Sequence, residues 1–333
     1  MIKKNPSWFI QFYIFIFIGI LSFSCSETKD EISNNVKPSA SINIWKAGPS
    51  FNDDSAYVFI DKQVSFGPRI PNTKKHIACG DWIVNKLKSY NLEVYEQIGE
   101  VTAFNSSKLP LRNISAVYNT NASKKVMLCA HWDTRPFADR DSLNTTKPIL
   151  GANDGASGVG VLLEIARQIS IKKPEIGVDI IFFDLEDQGD GGTGDVLSWC
   201  IGSQYWSKNP HVKNYNAEYG VLLDMVGGPG AIFTQEGHSV EFANDIVAKY
   251  WNQAIESGYS DYFSFEKTPG IIDDHLPINE ILRIPTIDII EYDPSTKSHF
   301  NKFWHTHGDD MNNISTETLN AVGQTVMDVV YNE

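Results

Sequence analysis

Three apolar stretches each run into ionisable residues. VMLCAHWD ends on His131 and Asp133, IIFFDLED on Glu186 and Asp187, and YGVLLDM on Asp224. Nearly continuous apolar runs of this length read as central strands of a sheet covered on both faces. In an α/β sheet the active site opens just beyond such strand ends. Asp154, Asp273, Asp274, His275, His305 and His307 extend the same series. Carboxylates and imidazoles gathered out of water cost free energy unless something compensates them. A divalent cation is the simplest compensation, and Zn2+ suits a mixed nitrogen and oxygen ligand set. The expectation is therefore a zinc enzyme.

Composition narrows the class further. The chain has 333 residues and is 42% hydrophobic, long enough for one large α/β domain with a full core. A net charge of -13 argues against a nucleic-acid partner, because a polyanion favours a basic face. Lys3 and Lys4 precede an apolar run from Trp8 to Phe23, the pattern of an export signal. Cys25, in LSFSC, stands where bacterial lipoproteins are acylated; an ordinary cleaved signal and an uncleaved anchor are the alternatives. Residues 1–25 are thus expected to be a signal peptide with a lipobox, 26–44 a polar tether, and 45–333 the catalytic domain. The address this implies is the periplasm, with the protein held at the outer membrane by its N-terminal lipid alone. Setting Cys25 aside leaves Cys79, Cys129 and Cys200, an odd number that forbids a complete disulfide set. Buried free thiols are expected, with a Cys129–Cys200 bridge left open.

Helical spacing is read at residues 54–66, 73–89, 197–208, 239–255 and 315–331, and in the segment after GANDGASG. Alternating strands are read within residues 91–104 and 111–119, and a late strand in TIDIIEYD. Residues 136–150 read as a long aperiodic loop, and EDQGDGGTGD as a glycine-laden loop folded over a site. Strands alternating with helices imply a single-domain α/β fold, a mixed and mostly parallel central sheet flanked by helices.

Each ionisable residue also has a plainer reading. His131 and Asp133 share a strand face and can enter one site, or bond only to a neighbour. Asp154 precedes a helix, where an N-cap is common. Glu186 and Asp187 point apart, so one can bind metal while the other moves protons; a solvated loop is the alternative. Asp224 interrupts an apolar strand, where an unpaired carboxylate is costly. Asp273, Asp274 and His275 crowd one turn, where neighbouring carboxylates raise each other's proton affinity. In WHTHGDD the loop context needs only one of His305 and His307. No HExxH, CxxC pair, GxSxG or P-loop pattern is present.

In order and combination, AHWDTR, GANDGASG, FFDLED, LLDMVGG, DDHLPI and WHTHGDD resemble the M28 family of proteins with the zinc aminopeptidase, phosphorylase/hydrolase-like fold. Within it they resemble the mammalian-type glutaminyl-peptide cyclotransferases, particularly bacterial lipoprotein members, over about residues 54–333. The resemblance implies one zinc per chain on Asp154, Asp187 and His305, with Glu186 as proton shuttle and Asp224 and Asp273 in its hydrogen-bond network. It implies a substrate pocket of Trp304, Ile271 and Trp199. His131 would serve a second metal or support the first. The implied substrates are peptides or proteins with N-terminal glutamine, and the implied state is a monomer. A zinc aminopeptidase, with two metals on His131, Asp154, Asp187, Asp224 and His305, is the alternative. Asp187 departs from the animal cyclases, which carry glutamate there.

Overall fold

The protein was analysed as a computed structural model that describes residues 48–333 apart from Thr193. The expected signal peptide and lipobox, and the whole of the tether, lie outside the described residues. Among the described residues, no helix is long and apolar enough to cross a membrane.

The three apolar runs become β3 (Lys125–His131), β4 (Gly177–Phe183) and β5 (Tyr219–Asp224), packed as parallel neighbours with β3 between the other two. Every residue of β4 and β5 is buried, as a strand covered on both faces requires. β8 (Thr286–Ile290) adds in parallel beside β5. β1 (Glu93–Thr102) and β2 (Lys108–Tyr118) form an antiparallel ribbon, and β2 pairs antiparallel with β4. The sheet order is β1-β2-β4-β3-β5-β8. The mixed sheet thus has its parallel half where the ionisable residues lie.

Strand alternation divides the core. Val126, Leu128 and Ala130 of β3 face a large cluster shared with α1 (Asp53–Ser65), α2 (Lys74–Ser89), α3 (Ala156–Ile171), α5 (Gly237–Glu256) and α7 (Thr316–Asn332). Met127 and Cys129 face a smaller cluster on the other side, with Trp206 of α4 (Ile201–Lys208) and Ile278, just past the single turn α6 (His275–Pro277). Local signals start the helices: Asn52 accepts the Ser55 N–H at 2.6 Å, and Thr73 and Ser315 cap α2 and α7 in the same way. α3 lies so close to β5 that a Cβ on Gly158 would meet the Leu223 carbonyl oxygen at 2.2 Å.

One expectation needs correction, and one element has no counterpart in the sequence reading. The helix expected over 197–208 is broken: Val196–Ser198 is a 3-10 turn, Trp199 is extended, Cys200 is left-handed with φ 54°, and only then does α4 begin. The cause is tertiary, since the Cys200 N–H donates to the Glu186 carbonyl at 3.0 Å and turns Trp199 toward the site. β6 (Phe233–Gln235) and β7 (Phe263–Lys267) form a second, two-stranded sheet that is too short to leave a readable period. Cys79, Cys129 and Cys200 are buried free thiols, so the Cys129–Cys200 bridge is absent.

Candidate metal centre and substrate pocket

His131, Glu186, Asp187 and Asp224 leave the sheet at or just after the ends of β3, β4 and β5. Asp154 joins them from the entrance to α3. Its carboxylate is not used as a cap, because Gly155 takes the N-cap position at φ 95° without a side-chain bond. A Cβ there would lie 2.7 Å from the Asp133 carbonyl oxygen, so glycine is required. His305 arrives from the far C-terminal loop, itself left-handed at φ 56°. Leu185, Cys200 and Met225, which flank the site, are also left-handed non-glycine residues. Such strain persists where surrounding structure enforces it, commonly at functional sites.

Two overlapping clusters result. In the first, the His305 Nε2 lies 3.1 Å from Asp187 and 3.5 Å from Asp154. The His305 Nδ1 faces Asp139 at 3.0 Å, which fixes the ring and aims Nε2 inward. In the second, the His131 Nε2 lies 3.0 Å from Asp154 and 3.2 Å from Asp224. Asp154 belongs to both, and in each the ligand atoms lie within 4.8 Å of one another.

The first cluster fits a metal. Asp154 Oδ2 and both carboxylate oxygens of Asp187 are buried without a hydrogen-bond partner, a costly state that a cation relieves. One imidazole and two carboxylates with an open remaining position match a catalytic zinc site. Burial pushes Asp187 up to about 6, partly offset by His305. Burial lowers His305, yet Asp187 and Asp139 outweigh it and raise the ring to about 9.

Glu186 points away from Asp187, as adjacent side chains after a strand do. Its carboxylate gathers with Cys200 and Asp273, and the Cys200 thiol lies 3.5 Å from Glu186 Oε1. Burial raises Glu186 well above the ordinary carboxylate value; His131 opposes the shift, while Asp187, Asp273 and Asp274 add to it. Asp273 rises to about 7, through burial and then Asp224. Asp133 is a clamp: its carboxylate accepts the N–H groups of Glu186 (3.1 Å) and Asp187 (3.3 Å) and the Gln188 side-chain amide (2.9 Å).

A cavity of about 390 Å3 opens over both clusters. Trp199, Ile271 and Trp304 all line it. Trp304 stacks on His305 with ring centroids 3.9 Å apart, and Trp199 lies parallel to the same imidazole at 6.1 Å. Gly189 admits Trp199, since a Cβ there would meet the indole at 2.2 Å.

His307 stays outside: it is exposed and bonds Asp141 at 2.8 Å. His275 and Asp274 lie fully buried behind the site, with His275 Nε2 3.3 Å from Glu236. Sequence reasoning missed Asp139, Cys200, Glu236 and Asp288, whose carboxylate lies 3.8 Å from His275 Nδ1. It also missed that Asp309 accepts the Asn153 and Asp154 N–H groups at 2.6 and 3.1 Å and so fixes the shared carboxylate.

The Peptidase family M28 model matches residues 113–330. The chain belongs to peptidase family M28. Among solved M28-like structures, the Bacteroides thetaiotaomicron glutaminyl cyclase bound to N-acetylhistamine is 51% identical, with a TM-score of 0.83 over 86% of this chain and 99% of that one. A Zn-dependent exopeptidase from Parabacteroides distasonis is 50% identical, with a TM-score of 0.84 over 86% of this chain and 100% of that one. The Drosophila melanogaster glutaminyl-peptide cyclotransferase is 25% identical over 280 residues, 75% of this chain and 73% of that enzyme.

Proposed function

We propose that this M28 protein is a zinc-dependent glutaminyl-peptide cyclotransferase, closing an N-terminal glutamine to pyroglutamate with release of ammonia. The observation that carries the reading is Glu186. It is a largely buried carboxylate whose proton affinity is raised, standing beside a metal-capable triad at the base of an aromatic cavity. The high identity to a bacterial glutaminyl cyclase over nearly the whole of that chain points the same way.

Asp154, Asp187 and His305 would hold the zinc, which when bound supplies a Lewis acid for an amide carbonyl. Trp199, Trp304 and Ile271 take the aliphatic part of the glutaminyl side chain and exclude water. Glu186 accepts the proton of the substrate α-amine as its nitrogen bonds to the side-chain amide carbon. Glu186 then returns that proton to the departing amide nitrogen, which leaves as ammonia, so no net proton is consumed. Asp224 orients the amine and Asp273 sustains the proton affinity of Glu186. Holding amine and carbonyl in contact supplies the entropic part of the acceleration.

The rival reading is a zinc aminopeptidase. The His131–Asp154–Asp224 cluster favours it, as does the similarity to a solved exopeptidase. Incubating a Gln-initiated peptide with zinc-loaded protein and weighing the product decides between them. Loss of one ammonia supports cyclisation, whereas loss of a whole residue overturns it. The reading includes an exported lipoprotein modified at Cys25, supported by the residue pattern from Lys3 to Cys25. Globomycin-sensitive labelling with a fatty acid tests that part.

A further inference from the structure

The metal side of the site and its aromatic wall meet at one buried cation. Arg135 follows β3 and is 2% exposed. Its Nη1 donates to the Asp187 carbonyl at 3.0 Å and to the Gly189 carbonyl at 2.7 Å. Its Nη2 and Nε donate to Asp139 Oδ2 at 2.7 and 3.3 Å. Asp139 in turn holds the His305 Nδ1 through its other oxygen. The guanidinium carbon lies 4.6 Å over the Trp199 ring.

These contacts have one geometric consequence. Asp187 and His305 come from chain segments far apart in sequence, and neither bonds the other's backbone. Arg135 spans them: it fixes the Asp187 main chain directly and the His305 ring through Asp139. The same group holds the Gly189 turn under Trp199 and packs on the indole, where a cation–π contact resists rotation of the ring. Only a planar fork with several donors reaches all four partners at once; a lysine ammonium is a point charge with no second arm.

We propose that Arg135 is a positioning residue that couples zinc-ligand geometry to the Trp199 wall of the substrate pocket. The proposal rests on the zinc cyclotransferase reading for its kinetic part only. Disturbing Arg135 loosens both the metal and the bound glutaminyl chain, whereas disturbing Asp139 or Trp199 loosens one of them.

The test compares R135Q, R135K, D139N and W199A. Zinc affinity is measured by competition with a chromophoric chelator, and KM and kcat with a Gln-initiated peptide. D139N is expected to weaken zinc binding about 10- to 100-fold with little change in KM, the usual range for removing a group that supports a ligand histidine. W199A is expected to raise KM while zinc affinity stays within about twofold. R135Q is expected to do both. The zinc-affinity losses of R135Q and D139N should combine less than additively, because part of the Arg135 effect runs through Asp139. R135K, which keeps the charge but not the fork, should retain the KM defect. Zinc affinity and KM at wild-type values in a folded R135Q protein overturn the proposal, as does additivity of R135Q with D139N. If R135Q does not fold, R135K decides by the same two readouts. A wild-type protein that binds zinc but leaves Gln-peptides unchanged defeats the catalytic reading, and the zinc-affinity comparison still decides the role of Arg135.

Discussion

The two clusters that share Asp154 differ in how their charges are satisfied. Around His305, the ring is held from behind by Asp139, and three facing carboxylate oxygens have no hydrogen-bond partner, with only the ring Nε2 opposite them at 3.1 and 3.5 Å. Around His131, the Nε2 already lies 3.2 Å or less from both Asp154 and Asp224. The Nδ1 of His131 faces Asp133 at 3.5 Å and Glu186 at 4.0 Å, and the Asp133 carboxylate is occupied by the Glu186–Gln188 segment. One cluster is an open, oriented ligand set with support behind it. The other is a closed ion-pair network in which three carboxylates offset burial and hold His131 well above its ordinary proton affinity. The difference teaches that ligand-type residues do not count metals; free lone pairs and ring support do.

The largest expected effect attacks the open cluster. His305→Ala should remove both zinc and turnover, and full zinc retention, read by elemental analysis, would break the comparison at its base. Glu186→Gln comes next. It should keep zinc while lowering kcat by about 100- to 10,000-fold, the range for losing a general acid–base. Unchanged turnover would remove Glu186 from the chemistry. His131→Asn should keep the zinc content of the wild type and lose activity only partly, because the residue organises Asp154 and Asp224. A drop in zinc content by one ion per chain would show that the closed network is itself a metal site.

The smallest effect comes from a buried carboxylate that has no metal role. Glu291 follows β8 and is 5% exposed, with the Asn301 amide donating to its two oxygens at 3.0 and 3.1 Å. Burial raises it to about 7, with Asn301 opposing. Its proton is bound more tightly in the folded chain than in the unfolded one. Its contribution is therefore fully favourable below the unfolded value of about 4.3 and is lost as pH rises to about 7, by roughly 3 kcal/mol. Glu291→Gln should flatten this part of the pH dependence and stabilise the protein at pH about 8 relative to wild type. Thermal melts at two pH values check it, and an unaltered slope would contradict the cost assigned to burying this carboxylate.

Much of this was legible in the sequence because it rested on strong patterns. Continuous apolar runs located β3, β4 and β5, and the residues at their ends fell at one edge of the sheet as expected. Asp154, Asp187 and His305 meet there, with Trp199, Ile271 and Trp304 in the cavity wall. What was not legible depends on distant parts of the chain meeting. Asp139 sits in an aperiodic loop, and its service to His305 spans 166 residues. Cys200 reads as helix by spacing, yet its bond to the Glu186 carbonyl turns the chain and delays the start of that helix to Ile201. Arg135 reads as one more charge in a motif, although burial and four partners make it a hub. Asp133 reads as a possible ligand, and its oxygens are instead taken by backbone N–H groups.

The most direct test is anomalous diffraction at the zinc edge from crystals of zinc-loaded protein. The account predicts one strong peak bounded by Asp154, Asp187 and His305, with Glu186 outside its coordination sphere. A second full-occupancy peak between His131, Asp154 and Asp224, or a single peak bound by Glu186, would contradict it.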